Sequence, residues 1–279
     1  MINEKEITFL IKVMNGGGAE RVVSLLIKAM VQKGYKVDLI LTHQYKKEAD
    51  LKDLDNKVNV LSLEDEIINY PKQTIKANLK MLYARCLGKF GESELSSINK
   101  YYARNYKKIS WLKEYFRKHK ISIVVAFLYD SIFLTMLSKT ADNKVIISER
   151  GDPQQSMASK TTMAFLHRVF PKADHIVFQS PDVSKWYLEN MNVEGTVIFN
   201  PIKGDLPERF VGERKKRIVN FCRISDQKNL ELLVKAYERL YREYPEYELY
   251  IYGGAVGHDT TLGSKRLSEK PCAANKRQS

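Results

Sequence analysis

Short runs of apolar, often β-branched residues alternate with longer amphipathic stretches along most of the chain. That alternation restricts the fold to a largely parallel sheet whose strands are joined by crossover helices. Residues 7–13 (Ile7-Thr8-Phe9-Leu10-Ile11-Lys12-Val13) read as the first strand, and Gly16-Gly17-Gly18 leads from it into a helix over 19–33. Val22, Leu25, Leu26 and Ala29 fall on one face of that helix, and Gly34 stands where a C′ terminator belongs. Further strands are expected at 36–42, 58–61, 121–127, 145–148, 175–179 and 196–199, with helices at 132–137, 162–169 and 182–191. Seven strands in this order predict a Rossmann-like domain over residues 1–202.

The pattern then pauses and restarts. Residues 203–216 are charged, contain Gly and Pro, and read as a linker. A strand at 217–221, a helix at 230–244 and a strand at 248–252 open a second α/β domain, placed at 217–257. Leu262 and Leu267 are the large aliphatic residues of 258–279, so that tail is expected to be disordered. One strand–helix–strand start is short of an ordinary domain, and a C-terminally truncated chain is expected.

Composition narrows the partners. Of 279 residues 44% are hydrophobic, enough for a core, and 46 basic against 33 acidic residues leave a net charge of +13. That excess suits an anionic partner: nucleic acid, a phosphorylated small molecule or an acidic membrane surface. The cysteines Cys86, Cys222 and Cys272 show neither metal nor disulfide spacing, which points to a reducing cytoplasm. The first apolar run is interrupted by Lys12, and no later run reaches the ~18 apolar residues needed to cross a bilayer. A cytoplasmic protein is expected, peripheral on the inner face of the membrane at most. His-Glu-x-x-His, a Walker loop and Gly-x-Ser-x-Gly are absent, and the five histidines are scattered, so neither a metal-dependent nor a serine-nucleophile mechanism is expected.

Four segments carry the chemistry. In Asn15-Gly16-Gly17-Gly18-Ala19-Glu20-Arg21, glycines let the backbone approach a ligand and the helix N-terminus favours an anion. A ligand-free tight turn explains the same residues as well. In Ser148-Glu149-Arg150-Gly151-Asp152-Pro153, Glu149 and Asp152 can accept hydrogen bonds from sugar hydroxyls and Arg150 can clamp an anion. Asp152 as a helix cap before Pro153 is the plainer account. In Arg223-Ile224-Ser225-Asp226-Gln227-Lys228-Asn229, two cations beside helix amides make a diphosphate site, or else solvated loop charges. Lastly, residues 72–120 hold thirteen basic side chains against three glutamates, interleaved with aromatics. This predicts either a pair of helices on an anionic bilayer or helices that pack their aromatics on the sheet.

In order and spacing these segments resemble a GT-B glycosyltransferase of family 4. The residues that carry the resemblance are Gly-Gly-Gly-Ala-Glu-Arg and Gly34-Tyr35-Lys36-Val37, then Ile147-Ser148-Glu149-Arg150-x-Asp152-Pro153, Val177-Phe178-Gln179-Ser180 and Val197-Ile198-Phe199-Asn200-Pro201-Ile202, and finally Asn220-Phe221-Cys222-Arg223-Ile224, Gln227-Lys228-Asn229 and Ile251-Tyr252-Gly253. The resemblance implies an acceptor domain and a donor domain. It implies metal-free transfer of a glycosyl unit from a nucleotide diphosphate sugar to a glycan or lipid-linked glycan, as in cell-surface polysaccharide synthesis. By motif match, Gly17 and Gly18 approach the donor phosphate or sugar, and Arg223 and Lys228 neutralise the departing diphosphate. Glu149, Arg150 and Asp152 are implied as acceptor or sugar contacts. The family is generally retaining, and no residue here declares itself a nucleophile.

One departure counts against activity. The family's Glu-x7-Glu segment in the donor domain and the helix that returns across the first domain lie beyond what the chain reaches, so impaired activity is expected. A non-catalytic module that binds an acceptor or a membrane is the rival reading. A nucleic-acid binder lacks any recognisable motif, and nucleic acid is not expected as a partner.

Overall fold

The computed structural model describes residues 6–14, 17–43, 57–70, 79, 82–84, 86, 93–151, 153, 159–202 and 206–254. Two compact units emerge, Met1–Lys203 and Gly204–Ser279.

The first unit is a parallel sheet of seven strands: β1 (Glu6–Ile11), β2 (Lys36–Leu41), β3 (Val58–Ser62), β4 (Ile123–Phe127), β5 (Lys144–Ser148), β6 (His175–Phe178) and β7 (Thr196–Val197). Their order across the sheet is β3-β2-β1-β4-β5-β6-β7, so the strand order reverses between β1 and β4 while every strand stays parallel. Beyond the carboxyl ends of strands at such a reversal lies the crevice where open α/β sheets bind ligands. Helices α1 (Gly18–Gln32), α2 (Leu63–Ile68), α3 (Glu94–Arg104), α4 (Tyr106–Lys118), α5 (Tyr129–Ser138), α6 (Lys160–Arg168) and α7 (Pro181–Met191) complete the described part of this unit.

Strand periodicity divides the core in two. Ile7, Phe9 and Ile11 of β1 and Val37, Leu39 and Leu41 of β2 join Val22, Val23 and Ile27 of α1 in one cluster. Leu10 and Ile40 point the other way, into a larger cluster with residues of α4, α5, α6 and α7. Both faces are therefore covered, as an all-parallel sheet requires.

Local sequence sets the helix ends. Ser62, Ser93, Ser159 and Ser180 each accept a hydrogen bond from an amide in the first turn of α2, α3, α6 and α7. At the end of α1, Gly34 takes φ +83, with Tyr35 N–H donating to the Met30 carbonyl and Gly34 N–H to that of Val31. This is the glycine-terminated ending expected there. β7 is shorter than the expected 196–199: its register with β6 covers Thr196 and Val197, and the last backbone bond runs from Ile198 N–H to the Phe178 carbonyl at 2.9 Å.

The basic segment 72–120 splits. Tyr106, Ile109, Trp111, Leu112, Tyr115 and Phe116 of α4 are buried in the core, so this part of the aromatic stripe packs on the sheet. Leu79, Leu82 and Tyr83, by contrast, are exposed, while most of 71–92 lies outside the described residues. No described helix is long and apolar enough to cross a membrane.

The second unit pairs β8 (Arg217–Phe221) with β9 (Glu248–Tyr252) in parallel, joined through a short 3-10 turn (Asp226–Lys228) and α8 (Leu230–Glu243). Residues 255–279, which include the tail expected to be disordered, lie outside the described residues.

Candidate functional site

The glycine turn opens α1. Gly17 is its N-cap in extended conformation, and the Gly17 carbonyl accepts from Arg21 N–H at 3.0 Å. A side chain at 17 would run into the Glu20 carboxylate, which folds back over this residue. The Glu20 side chain is flexible and can swing aside, so the contact does not by itself demand a glycine. At Gly18 a Cβ would meet nothing within 4 Å, so no packing constraint accounts for that glycine and there is room beside it. Gly16 lies outside the described residues.

At the carboxyl end of β5 the sheet continues into Ser148-Glu149-Arg150. Glu149 N–H pairs with the Val177 carbonyl at 3.0 Å, which turns the side chain inward, and the residue is only 1% exposed. One carboxyl oxygen accepts from Gly151 N–H, and the other is buried without a well-formed hydrogen bond among the described residues. Burial raises the carboxyl to about 7, against the opposing pull of the Gly151 amide, the Tyr129 hydroxyl and the Arg150 amide and guanidinium. Tyr129 and Tyr187 meet hydroxyl to hydroxyl at 3.2 Å, and burial, then the Glu149 charge, pushes the Tyr187 phenol far up.

Arg150 is held as a fixed cation. Its Nε donates to Ser148 Oγ at 2.9 Å, an Nη1 hydrogen bond reaches Asn200 Oδ1, and the guanidinium carbon lies 5.6 Å from the centre of the Phe127 ring. Ser148–Arg150 and Asn200, two separate stretches in the sequence, are one assembly here. Asp152, the third residue expected to act at this end, lies outside the described residues.

A second constellation, missed in the sequence, bridges the ends of β2 and β4. Thr42 and His43 extend β2 beyond its last paired residue, their amides donating to the carbonyls of Ile11 at 3.0 Å and Lys12 at 3.1 Å. Asp130 lies in the first turn of α5, directly after Leu128, which takes φ +66 and ψ 148. That backbone conformation is costly for a bulky residue, on the order of 1–3 kcal/mol, and it falls at the sheet's reversal point. The Asp130 carboxylate accepts from the Tyr101 hydroxyl at 2.9 Å and from Thr42 Oγ1 at 3.3 Å, with His43 Nδ1 3.8 Å away. Lys108 Nζ donates to the Thr42 carbonyl at 2.8 Å and reaches Glu64 at 3.2 Å. Burial, then Lys108 and Lys12, lowers the His43 pKa against the opposing charges of Asp130 and Glu64. The signal that was available is that Thr42 and His43 stand at the carboxyl end of an expected strand, where ligands bind.

In the second unit, Arg223 and Lys228 are both exposed and share the turn between β8 and α8. Asn229 follows in left-handed conformation (φ +45) and opens α8, so Lys228 directly precedes that helix's N-terminus, while Arg223 stands at the other end of the turn. Gly253 allows the strands to approach closely, since a Cβ there would strike the Cys222 carbonyl. The structure therefore groups the expected residues as Gly17 and Gly18 after β1, Glu149 and Arg150 after β5, and Arg223 with Lys228 in one loop of the other unit.

Solved structures share this architecture. TarM from S. aureus superposes with a TM-score of 0.62 at 12% identity, covering 90% of this chain and 72% of that one. Sucrose-phosphate synthase from Thermosynechococcus elongatus gives 0.59 at 14% identity over 92% and 63% of the two chains. A glycosyltransferase from Rickettsia africae gives 0.55 at 15% identity over 90% and 61%. The chain thus spans between 61% and 72% of the length of these three structures, and at such identities the likeness shows the GT-B fold alone. No curated protein sequence matches it significantly. Residues 16–205, however, match the sequence profile of Glycosyltransferase Family 4, and on that match over more than half its length the chain belongs to Glycosyltransferase Family 4.

Proposed function

We propose that the chain acts as a metal-independent glycosyltransferase on the cytoplasmic side of the membrane, moving a sugar from a nucleotide diphosphate sugar to a glycan or lipid-linked glycan of the cell-surface polysaccharide type. The observation that carries this reading is the pair of exposed cations, Arg223 and Lys228, in the turn that leads into the N-terminus of α8. Cations and free amides together suit a diphosphate, whose charge grows as the sugar–phosphate bond breaks. Gly18, with open space where a side chain would be, suits close approach of a phosphate or sugar to the first unit. Arg150, braced by Ser148 and Asn200, suits an anionic or hydroxyl-rich ligand. TarM, which shares the fold, has been solved with UDP and alpha-GlcNAc-glycerol. Calorimetric titration of the purified chain with UDP- and GDP-sugars tests the proposal. Arg223→Ala and Lys228→Ala should each weaken nucleotide-sugar binding about tenfold or more, the scale of a lost hydrogen bond to a charged group. Equal binding by both variants and the parent would overturn the assignment.

A second reading is a non-catalytic module that binds an acceptor or an anionic membrane. It is favoured by exposed Leu79, Leu82 and Tyr83 together with the exposed cations Lys100, Arg104 and Lys107. Each cation near an anionic surface contributes about 1 kcal/mol. Flotation with phosphatidylserine vesicles, without any calorimetric response to nucleotide sugars, would select this reading over the first.

A further inference from the structure

The constellation after β2 and β4 has a direction built into it. Thr42 Oγ1 has one hydrogen and two neighbours, Asp130 Oδ2 at 3.3 Å and His43 Nδ1 at 3.2 Å. A carboxylate only accepts, and the charge-assisted bond is the stronger, so the Thr42 hydrogen goes to Asp130. The Thr42 oxygen can then only accept from the ring, which requires the proton of neutral His43 to sit on Nδ1. The arrangement is held firmly: Thr42 is fully buried, its amide is bonded to β1, and Tyr101 fixes the far oxygen of Asp130 at 2.9 Å. Among the described residues Nε2 is left with a free lone pair, on a side chain that is 38% exposed, at the point where the strand order reverses.

We propose that Asp130, Thr42 and His43 form a relay that presents His43 Nε2 as the hydrogen-bond acceptor for a hydroxyl of the sugar acceptor. This rests on the glycosyltransferase reading and names a residue for the acceptor's side of it. Nε2 without a proton accepts from a hydroxyl, whereas protonated Nε2 can only donate, so the subsite exists while the ring is neutral. The groups that bear on the ring are Asp130 on α5, Lys108 on α4, Glu64 on α2 and Lys12 after β1, with Tyr101 of α3 behind Asp130. Burial and the two lysines outweigh the two carboxylates, so the ring stays neutral to below its ordinary 6.5. Acceptor binding should accordingly weaken only as the pH falls beneath that value.

Ring-nitrogen NMR on the full chain, with His43 assigned by the H43F variant, reads the tautomer without any need for activity. The expected result is a proton on Nδ1 at neutral pH, retained in T42S and shifted toward Nε2 in T42V. A proton on Nε2 in the parent chain would overturn the relay whether or not the chain transfers sugar. Titration with octyl glycosides of glucose, galactose and N-acetylglucosamine, below their micelle concentrations, then probes the subsite. The His43 Nε2 resonance should move with at least one of them, and H43F should weaken that binding about two- to tenfold with partial recovery in H43Q. No movement with any glycoside sinks the proposal. Failure of the transferase reading would show separately, as a parent chain that binds no nucleotide sugar.

Discussion

The chain uses the same local plan twice, with opposite outcomes for burial. In β1-α1-β2 a strand, a polar or glycine turn and a helix lead to a parallel strand, and Phe9, Leu10, Leu39 and Ile40 are sealed from solvent. In β8-α8-β9 the elements follow in the same order, yet Phe221 is 78% exposed and α8 has no buried residue. Propensity and periodicity are equally good in both. The difference lies in neighbours: β1 has a strand on either side and helices over both faces, while β8 pairs only with β9 among the described residues. Apolar pattern forms the elements, and burial comes from the layers around them.

The contrast can be broken by substitution. Phe165, stacked on Phe133 with ring centres 3.9 Å apart, is fully buried, and Phe165→Ala should cost about 3–5 kcal/mol in denaturant unfolding. Phe221→Ala should stay within about 0.5 kcal/mol. Comparable losses at both positions would show that the second unit buries Phe221 after all.

Ionisable groups sharpen the contrast at smaller scale. Glu149 keeps its proton in the fold up to about 7, against an ordinary 4.5 in the unfolded chain. Its contribution is therefore fully present below 4.5 and is lost as the pH rises through 7, a swing on the order of 3 kcal/mol. Glu149→Gln should remove that fall and make the protein more stable at pH 8 than the parent. Glu246, exposed and held below its ordinary value by its own amide and by Lys216, lends stability that is lost as the pH falls, so Glu246→Gln should alter the curve only at acid pH and leave the fall between pH 4.5 and 7 in place. A parent curve flat between pH 4.5 and 7 would refute the account of Glu149.

The smallest effect concerns left-handed backbone. Gly34→Ala meets no clash but must hold φ +83, a cost of about 1 kcal/mol. Asn229→Gly, at φ +45 in the second unit, should be neutral to within a few tenths of a kcal/mol. Thermal unfolding that ranks the two the other way would show that capping contacts, rather than backbone strain, decide these positions.

Much of the first unit was legible because its signals are local. Runs of β-branched residues mark β1, β2, β4 and β5, and Gly34 marks the end of α1. The expected helix 132–137 begins earlier, at Tyr129, because Leu128 turns the chain in a conformation that no residue pattern announces. The first strand ends at Ile11 rather than at residue 13, because its register with β4 stops at Leu10 and that with β2 at Ile11. The candidate site could be picked out where it follows a motif, as at Gly17–Gly18 and Ser148–Arg150, each of which the structure sets after a strand. It was hidden where side chains meet across distant segments: Thr42 and Asp130 lie 88 positions apart, and Tyr101 reaches Asp130 across 29.

Sequence by itself determined most of the strands and helices, several of their caps, and the family, since all of these depend on residues close together or on their order. Tertiary structure decided that Glu149 turns inward and holds its proton, that Arg150 is braced by Asn200, and that His43 is joined to Asp130 through Thr42. Each of those follows from which strands lie side by side, and parallel pairing brings together residues that the chain keeps far apart.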